Sequence, residues 1–223
     1  MSDSIAEQIA KIRASVPPSV RLVAVTKTVS ADAIRAAYAA GVRDFGENRI
    51  QEAEAKQEQL RDLTDITWHL IGHIQSNKAA RAIANFDWIH SVDSLKLAQR
   101  LDRLAREQSR SPNVCLQVKI LPDPNKYGWT VPELMADLPE LQACTALNIQ
   151  GLMTIPPQGL DETETRSVFE ETRKLATRIR SQNWSGIEMR ELSMGMSADY
   201  LLAVEAGATL IRPGQSIFGK RKI

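Results

Sequence analysis

Lys27 is the residue of this sequence best suited to covalent chemistry, because it ends an apolar, β-branched run. The run covers residues 21–26, where Val23 and Val25 favour an extended strand, since branching at Cβ restricts χ1 in a helix. A helix is predicted over residues 32–40, so Lys27 lies where a strand passes into a βα loop, the usual ligand site of parallel α/β folds. A lysine whose pKa is lowered by apolar walls is a nucleophile for Schiff-base formation. A solvated strand end is the alternative interpretation.

Polar or small residues also follow nearly all of the remaining predicted strands. In chain order they are Gly46-Glu47-Asn48, Gly72-His73, His90, Asn125-Lys126, Ser193-Met194-Gly195 and Arg212-Pro213-Gly214. In a closed barrel of parallel strands all of these ends lie at one face, where the active sites of such barrels are found. The sequence therefore predicts one polar site over a packed barrel.

The ends of the last two strands are typical of a phosphate site. Ser193 supplies a hydroxyl, and Gly195 and Gly214 let backbone N–H groups approach an anion closely. A helix predicted from residue 198 adds the positive end of its dipole, and this part of a barrel often binds phosphate. Simple helix-entry turns are the alternative explanation for these small residues.

Arg212 ends the last strand, and two roles are open for it. It could contact an anion or an aromatic nitrogen, or it could form a structural ion pair with Glu191 or Glu205. The three histidines of the chain fit neither a His-Glu-x-x-His pattern nor a cysteine–histidine pattern, so no zinc site is predicted. A Gly-x-Ser-x-Gly elbow and a Walker loop are also absent from the sequence.

Strands and helices alternate along the whole chain. Strands are predicted at 21–27, 42–46, 66–72, 88–92, 114–120, 148–155, 191–194 and 209–212. Helices are predicted at 4–15, 32–40, 50–60, 77–84, 95–107, 131–144, 163–181 and 198–206, with a short turn at 216–219. This alternation indicates an α/β fold of parallel βαβ units that closes into a (β/α)8 TIM barrel. An open doubly wound sheet is the alternative, but its Gly-x-Gly-x-x-Gly turn is missing.

The overall composition limits the classes of function. The chain has 223 residues, 43% of them hydrophobic and 25% charged, and no linker-like segment divides it, so a single domain over 1–223 is predicted. A net charge of +1 gives no electrostatic reason to expect nucleic acid or an anionic membrane as a partner. No run is long enough to span a membrane and the first residues lack an apolar signal region, so a cytoplasmic location is expected.

Six motifs, in order along the chain, resemble those of one family. They are Val25-Thr26-Lys27, Phe45-Gly46-Glu47-Asn48-Arg49, Trp68-His69-Leu70-Ile71-Gly72-His73-Ile74-Gln75-Ser76-Asn77-Lys78, Gly151-Leu152-Met153-Thr154-Ile155, Leu192-Ser193-Met194-Gly195-Met196-Ser197 and Ile217-Phe218-Gly219. The chain resembles the pyridoxal phosphate homeostasis proteins, single-domain relatives of the barrel half of alanine racemase and of bacterial-type ornithine decarboxylases. The resemblance implies a fold-type III barrel that binds pyridoxal 5′-phosphate (PLP).

The same resemblance implies a set of cofactor-binding residues. They are Lys27, Asn48, Ser193, Gly195, Arg212, Gly214 and Gln215. Lys27 would hold PLP as an internal aldimine, Asn48 would lie near the ring, and Arg212 would contact the pyridine nitrogen. The other four would bind the phosphate. An arginine cannot protonate the ring nitrogen as a carboxylate partner would, so the cofactor would be a weaker electron sink.

The resemblance also bears on turnover and partners. Racemases of this group add a C-terminal β domain that supplies a tyrosine acid/base across a dimer interface, whereas this sequence stops at Ile223, directly after the predicted barrel. Without that group, two-sided proton transfer at a substrate Cα lacks its second partner. We therefore expect a monomer that holds and releases PLP without turnover and contributes to PLP homeostasis and amino/keto-acid balance, with apo PLP-dependent enzymes as candidate recipients.

Two other functions stay open from the sequence. The first is an amino-acid racemase in which Tyr127 or His90 acts as the partner of Lys27. The second is a cofactor-free Schiff-base lyase that binds a phosphorylated substrate. Lys126 matches a family position that could offer a second amine near the site.

Overall fold

The computed structural model describes residues 4–219 and alternates strands with helices. The strands are β1 (Arg21–Val25), β2 (Asp44–Glu47), β3 (Thr67–Leu70), β4 (Trp88–Val92), β5 (Asn113–Lys119), β6 (Trp129–Thr130), β7 (Asn148–Met153), β8 (Ile187–Ser193) and β9 (Leu210–Ile211). The helices are α1 (Ile5–Ala14), α2 (Ala31–Ala39), α3 (Ile50–Gln59), α4 (Ala79–Asn85), α5 (Leu95–Glu107), α6 (Val131–Leu141), α7 (Glu162–Arg180), α8 (Tyr200–Glu205) and α9 (Gln215–Phe218), with one 3-10 turn at Ser76–Lys78. Within this range no helix combines the length and the apolar composition that a membrane span requires.

The strands close into a parallel barrel. Hydrogen-bonded neighbours follow the order β4-β3-β2-β1-β9-β8-β7-β5, and β4 also pairs with β5, which completes a ring of eight strands. The short strand β6 pairs in parallel with β5 outside this ring. The predicted (β/α)8 barrel is confirmed, and the alternative of an open doubly wound sheet is wrong because the ring leaves no free edge. Strand β6 was not predicted, since its two residues follow a loop rich in proline and polar residues.

Several predicted elements have different limits in the structure, and for two of them the cause is visible. The strand predicted at 191–194 is longer and covers Ile187–Ser193, because exposed charged residues alternate with buried apolar ones over its first part. The helix predicted at 198–206 covers only Tyr200–Glu205. It starts late because the side chain of Asp199 accepts the backbone N–H of Met196 (2.6 Å) and holds a turn ahead of the helix.

The main apolar core lies between the barrel wall and the helices. Outward-facing strand residues such as Leu22 and Phe45 belong to this core, together with the inner faces of the surrounding helices. A second, small cluster of Trp88, Cys115 and Met153 lies inside the barrel. Barrel interiors are usually filled by branched apolar side chains. Here much of the interior beyond this cluster is taken by buried polar side chains, and these connect directly to the candidate site.

Three helices begin with a capping box, in which the first side chain and a glutamate three residues later bond to each other's backbone N–H groups. The pairs are Ser4 with Glu7 in α1, Thr130 with Glu133 in α6, and Asp161 with Glu164 in α7. Such a cap stabilises a helix by about 1 kcal/mol. Local sequence signals therefore define where these three helices of the described residues begin.

Candidate functional site

The carboxyl ends of β1, β2 and β9 meet around Lys27. This lysine is half-buried and lies in the turn that follows β1. The Thr26 N–H donates to the Gly46 carbonyl and the Val25 N–H to the Pro213 carbonyl, both at 2.9 Å. The lysine turn is therefore tied to the ends of both neighbouring strands. Lys27 lies at the mouth of the barrel, as the order of the elements predicts.

A buried ion cluster beneath this turn holds the backbone next to Lys27. The ammonium of Lys56, in α3, donates to the Thr26 carbonyl oxygen at 2.6 Å. Its other two protons reach Glu47 Oε1 at 2.6 Å and Glu52 Oε1 at 2.7 Å. The hydroxyl of Thr26 also donates to Glu47 Oε1 (2.6 Å). All three donors of the Lys56 ammonium are thus used to connect α3 to the end of β2 and to the residue before Lys27.

The residue after Lys27 is held by the same cluster. Thr28 has a φ of 61°, in the left-handed region that a β-branched residue rarely adopts. Its N–H donates to Glu52 Oε1, the oxygen that also accepts from Lys56. A conformation of this kind costs on the order of 1–3 kcal/mol and persists only where its surroundings enforce it. Here the enforcing group is a carboxylate on α3.

The two carboxyl groups of this cluster differ in their environment. Glu47 is fully buried, and its Oε2 has no hydrogen-bond partner among the described residues. Burial raises the pKa of Glu47, although the bonds from Lys56 and Thr26 oppose that shift. Burial also acts to raise the pKa of Glu52, but there the hydrogen bonds from Lys56 and from the Thr28 N–H outweigh it and lower the pKa. Lys56 therefore favours the ionised form of Glu47 against the effect of burial.

Arg212 follows β9 and is almost entirely buried, with 3% of its surface exposed. Its Nη1 donates to Ser193 Oγ (2.6 Å) and its Nη2 to the Thr154 carbonyl (3.0 Å). Its backbone N–H donates to the Gly195 carbonyl (2.8 Å). Burial lowers the pKa of Arg212 to about 10, so the group is still a cation at neutral pH. A buried arginine held by neutral oxygens keeps donor capacity for a ligand at the mouth.

The predicted alternative role for Arg212, a structural ion pair with a nearby glutamate, is wrong. Glu205 pairs with Arg166 instead (2.5 Å). Glu191 accepts from the hydroxyl of Thr209 (2.5 Å). Both carboxylates therefore have partners other than Arg212.

A line of hydrogen bonds runs from Arg212 through the inside of the barrel. Ser193 Oγ, which accepts from Arg212, lies 2.6 Å from His90 Nδ1. His90 Nε2 lies 2.9 Å from His69 Nδ1, and His69 Nε2 lies 2.9 Å from Asp44 Oδ1. Ser193 and both histidines are fully buried. Burial lowers the pKa of both imidazoles, and that of His90 falls well below its usual value.

A second polar corner lies where the loops after β8 and β9 meet. The hydroxyl oxygen of Ser197 accepts the N–H groups of Gly214 (3.0 Å) and Ser216 (3.1 Å). The hydroxyl of Ser216 lies 3.3 Å from the same oxygen. Backbone N–H groups that converge on one oxygen in this way form a small anion nest. We call Ser197, Gly214 and Ser216 the serine corner.

Of the residues predicted from the sequence to bind phosphate, some lie at or near the serine corner, while Ser193 points into the barrel. Gly214 belongs to the serine corner, and Gln215 is the exposed first residue of α9 beside it. Gly195 lies in the loop after β8 with a φ of 91°, and a Cβ there would lie 2.6 Å from the Cβ of Ala203. Ser193 instead points into the barrel, where its hydroxyl is used by Arg212 and His90. Phosphate binding by Ser193 therefore stays a prediction, and the hydroxyl among the backbone donors is that of Ser197.

Asn48, the remaining predicted cofactor residue, directly follows β2 and is half-buried. Its backbone passes so close to Gly72 that a Cβ on Gly72 would lie 2.1 Å from the Asn48 carbonyl oxygen. Only glycine fits there. The end of β3 is thus shaped to let the segment with Asn48 pass over it.

The loop after β5 carries Lys126 and Tyr127. Lys126 is half-buried, and its N–H donates to the Asp123 carbonyl (3.3 Å). Tyr127 is 56% exposed and stacks on His73, with ring centroids 3.5 Å apart and planes 8° apart. His73 in turn contacts Asp93 (Nδ1 to Oδ2, 2.9 Å). This stack connects the β5 loop to the ends of β3 and β4 at the mouth.

A cavity of about 330 Å³ lies next to the lysine turn. Val25, Thr28 and Gly214 line it together with residues of α1, α2 and α9, Gln215 among them. Asn48 and Arg212 do not line it. It therefore borders the mouth from outside the barrel wall, and the site itself is defined by the side chains described above.

Three features of the site were not predicted from the sequence. Lys56 lies in a helix that is polar on most sides, so its charge carried no signal of burial. The sequence did contain a signal that Glu47 is buried, because Glu47 lies two residues after Phe45 and so faces the same packed side of β2. A carboxylate there needs a partner. The chain through His69 and Asp44 had no signal in residue spacing, since it depends on which strands become neighbours.

Comparison with known proteins identifies close relatives of the chain. The family described as the alanine racemase N-terminal domain matches residues 1–222. A protein from Synechocystis sp. named pyridoxal phosphate homeostasis protein is 54% identical over 211 residues, which cover 95% of this chain and 96% of the relative. A protein of the same name from Pseudomonas aeruginosa is 40% identical over 228 residues, covering 98% and 96%.

Solved structures agree with these sequence matches. The protein PipY of Synechococcus elongatus, solved without PLP, superposes with a TM-score of 0.94 at 56% identity, covering 97% of this chain and 100% of PipY. The PipY structure solved with PLP bound gives a TM-score of 0.93 at 54% identity and the same coverage. An alanine racemase from Bartonella henselae is only 16% identical, with a TM-score of 0.74, covering 98% of this chain and 60% of the racemase, so it bears on the fold alone.

Proposed function

The chain belongs to the pyridoxal phosphate homeostasis protein family, and on that premise we propose that it holds PLP as a Schiff base on Lys27 and contributes to the intracellular supply of PLP. When bound, PLP supplies an aldehyde that condenses with amines and a ring that withdraws electrons. The observation that carries the proposal is that Lys27, the buried cation Arg212 and the serine corner all lie at one end of one barrel.

The residues at the mouth fit the three parts of PLP. Lys27 is half-buried in a turn whose backbone is fixed on both sides, so its amine is presented in one place. Arg212 is the donor for the pyridine nitrogen, and Asn48 lies beside the ring. The serine corner, with Gly195 and Gln215 next to it, is the phosphate site, and Ser197 is its hydroxyl ligand.

In this arrangement Ser193 supports Arg212 and does not bind the phosphate directly. Its hydroxyl is fully buried and already contacts both Arg212 and His90. Gly214 and Ser216, in contrast, direct their N–H groups at a hydroxyl in the half-buried serine corner. A phosphate oxygen that enters the corner would share those two donors.

We propose binding without turnover for three reasons. Arg212 cannot give a proton to the ring nitrogen, so the bound cofactor would withdraw electrons only weakly. His90, one of the two acid/base partners considered for a racemase, is fully buried with both ring nitrogens engaged by Ser193 and His69. Tyr127, the other one, is stacked on His73 and largely exposed, where water competes for its proton.

The first test is the visible absorption spectrum of the protein with added PLP, before and after reduction with borohydride. We expect a visible band for the wild type and for Lys126→Ala, its loss in Lys27→Ala, and a covalent pyridoxyl group on the Lys27 peptide after reduction. A wild type that stays colourless with PLP would overturn the proposal. A pyridoxyl group on Lys126 in the wild type would move the cofactor to the β5 loop.

We further propose a cytoplasmic monomer that passes PLP to apo PLP-dependent enzymes. The argument for a monomer is that the residues that fit the three parts of PLP all belong to this one chain. The test combines sedimentation of the PLP-loaded protein with the rate at which an apo-aminotransferase regains activity. Transfer faster than from an equal concentration of free PLP would support delivery. Transfer limited by spontaneous release would restrict the role to storage.

A further inference from the structure

The hydrogen-bonded line inside the barrel joins Arg212 at the mouth to the opposite end of the molecule. From Arg212 it passes through Ser193, His90 and His69 to Asp44, with steps of 2.6, 2.6, 2.9 and 2.9 Å. Asp44 is the first residue of β2, is partly exposed, and lies 4.0 Å from Arg21. A cavity of about 490 Å³ at the amino-terminal face of the barrel reaches this carboxylate. We call these five residues the interior line.

The two ends of the interior line fix the direction of every hydrogen bond in it. The Asp44 carboxylate only accepts, so each neutral imidazole in turn donates from Nε2 and accepts at Nδ1. Ser193 Oγ accepts from Arg212, which has only N–H donors, and therefore gives its own proton to His90 Nδ1. His90 then carries its proton on Nε2 and donates to His69 Nδ1. His69 likewise carries its proton on Nε2 and donates to the Asp44 carboxylate. Both imidazoles are neutral and share one tautomer, and each polar atom has one role.

Such a line is costly to bury unless every member is satisfied. Ser193, His90 and His69 have no exposed surface, and the positions they occupy are usually apolar in barrels of this kind. A half-satisfied buried network is worse than an apolar core, whereas a satisfied one enforces a unique arrangement. The rings are also packed in place, because His69 stacks on Trp88 with planes 12° apart.

The chemistry of the last group determines what the line can do. A proton path must end in a group that can both accept and release a proton, and an arginine does not release one at neutral pH. The line therefore cannot deliver protons to a ligand at the mouth. It can only polarise the Ser193 oxygen and so hold the guanidinium in one plane, because hydrogen bonds in a chain strengthen one another.

We propose that Ser193, His90, His69 and Asp44 are positioning residues, which orient the Arg212 guanidinium toward the pyridine nitrogen of PLP through a one-directional hydrogen-bond line anchored at the far end of the barrel. The proposal rests on the proposed PLP function for its consequence, but not for the line itself, which is present in the protein without a ligand. The two parts can therefore fail separately.

The line itself is tested on the PLP-free protein with ¹⁵N-labelled histidine. We expect His69 and His90 to show protonated Nε2 and unprotonated Nδ1 throughout the range around neutral pH, with slow exchange of both ring protons. His73, which lies at the exposed mouth, is the internal reference for an accessible ring. A charged or Nδ1-protonated form of either buried ring would overturn the proposal, whatever the protein does with PLP.

The consequence is tested with His69→Phe, which keeps a ring beside Trp88 but leaves the His90 Nε2–H without an acceptor. We expect the visible PLP band to persist, because Lys27 is intact, while the dissociation constant for PLP rises about tenfold. The pH at which the band changes form should shift as well, because the ring nitrogen loses a fixed donor. Cys115→Ala, which removes another interior side chain outside the line, should leave that pH unchanged.

A second variant covers the case in which His69→Phe does not fold. Asp44→Asn changes only the partly exposed end of the line, far from the mouth, and should shift the band titration in the same direction by a smaller amount. If either variant binds PLP with the wild-type dissociation constant and titration, the positioning role is refuted. If the wild type itself binds no PLP, the proposed function fails. The histidine tautomers then still show whether the hydrogen bonds of the interior line run in the proposed direction.

Discussion

Replacing Lys56 with methionine should leave a buried carboxylate beneath the lysine turn without its charged partner. The methionine keeps most of the apolar stem of Lys56 but removes the ammonium that contacts Glu47, Glu52 and the Thr26 carbonyl. Glu47 has no exposed surface, and its Oε2 has no partner among residues 4–219. Glu52, which is partly exposed, keeps the Thr28 N–H and some water. The damage should therefore fall mainly on Glu47.

The expected loss can be bounded, because Glu47 can always escape its charge by binding a proton. From the ordinary glutamate pKa of 4.5, protonation at pH 7 costs about 3.4 kcal/mol, since each pH unit is worth about 1.36 kcal/mol. The lost bond to the Thr26 carbonyl adds about 1 kcal/mol. We expect Lys56→Met to lower the free energy of unfolding by about 4 kcal/mol at neutral pH, in line with other broken buried ion pairs.

The sign of the pH dependence separates this mechanism from a simple packing defect. In the variant, folded Glu47 is protonated and unfolded Glu47 is ionised above its ordinary pKa, so the folded state binds one more proton. Stability then falls as the pH rises, by about 1.4 kcal/mol per unit, and the deficit shrinks toward about 1–2 kcal/mol near pH 5. In the wild type, the hydrogen bond and charge of Lys56 oppose the rise that burial causes in the pKa of Glu47, so this slope is weaker there.

The assay is urea unfolding of both proteins between about pH 5 and pH 8, with two controls. Lys174→Met removes an exposed lysine that pairs with Glu171 at 2.7 Å, and it should not shift the unfolding midpoint measurably. Glu47→Gln combined with Lys56→Met removes both charges and should abolish the pH slope. A loss of unfolding free energy that is the same at every pH would refute the explanation that Glu47 lacks its charged partner. A pH slope that persists unchanged in the double variant would refute it as well.

Three other variants or conditions test separate parts of the structure. Gly151→Ala should abolish folding or cost more than about 4 kcal/mol of unfolding free energy, because a Cβ there would lie 1.7 Å from the Glu191 carbonyl oxygen; circular dichroism of the purified variant checks this. Ser197→Ala should raise the dissociation constant for PLP about tenfold and lower the unfolding free energy by about 1 kcal/mol, because two part-buried N–H groups lose their acceptor. Absorbance titration gives the dissociation constant and urea unfolding the stability. Acidification should destabilise the protein below about pH 6.5, because burial lowers the pKa of His69 and His90 in the folded state while the unfolded rings protonate at their usual pKa. In thermal melts, the stability of His69→Phe should fall less steeply with decreasing pH than that of the wild type.

The fold was predictable because its signals are local and repetitive. Apolar runs such as that of β1, helix caps such as Ser30, and the regular alternation of the two element types each depend on a few neighbouring residues. Eight repeats of one unit leave a closed barrel as the consistent solution, and the ring follows that order. The two-residue strand β6 escaped prediction because its pairing depends on β5 and not on its own sequence.

The candidate site was predictable in position but not in its supporting contacts. Lys27 and Arg212 follow strands, so the barrel alone brings them to the same end. The roles of Ser193 and Ser197 were harder to separate, because Ser193 ends β8 and Ser197 lies only four residues further along the chain, while their hydroxyls have different partners. The partnership of Lys56 with Glu47 depends on the angle at which α3 packs on the barrel, which no spacing of residues specifies.

The two buried cations at the mouth bear on the proposed role, in which the site would hold PLP and also release it. Lys56 and Arg212 are each fixed by contacts that exist without PLP, so little reorganisation is needed when PLP enters. The same contacts limit how much new binding energy PLP can gain. Lys56 donates all three of its protons to groups of the protein, and of the two cations only Arg212 has further N–H donors. A site that is organised in advance but offers few unsatisfied charges favours rapid exchange over very tight retention. That balance suits a protein that supplies PLP to others better than an enzyme that must retain it through a catalytic cycle.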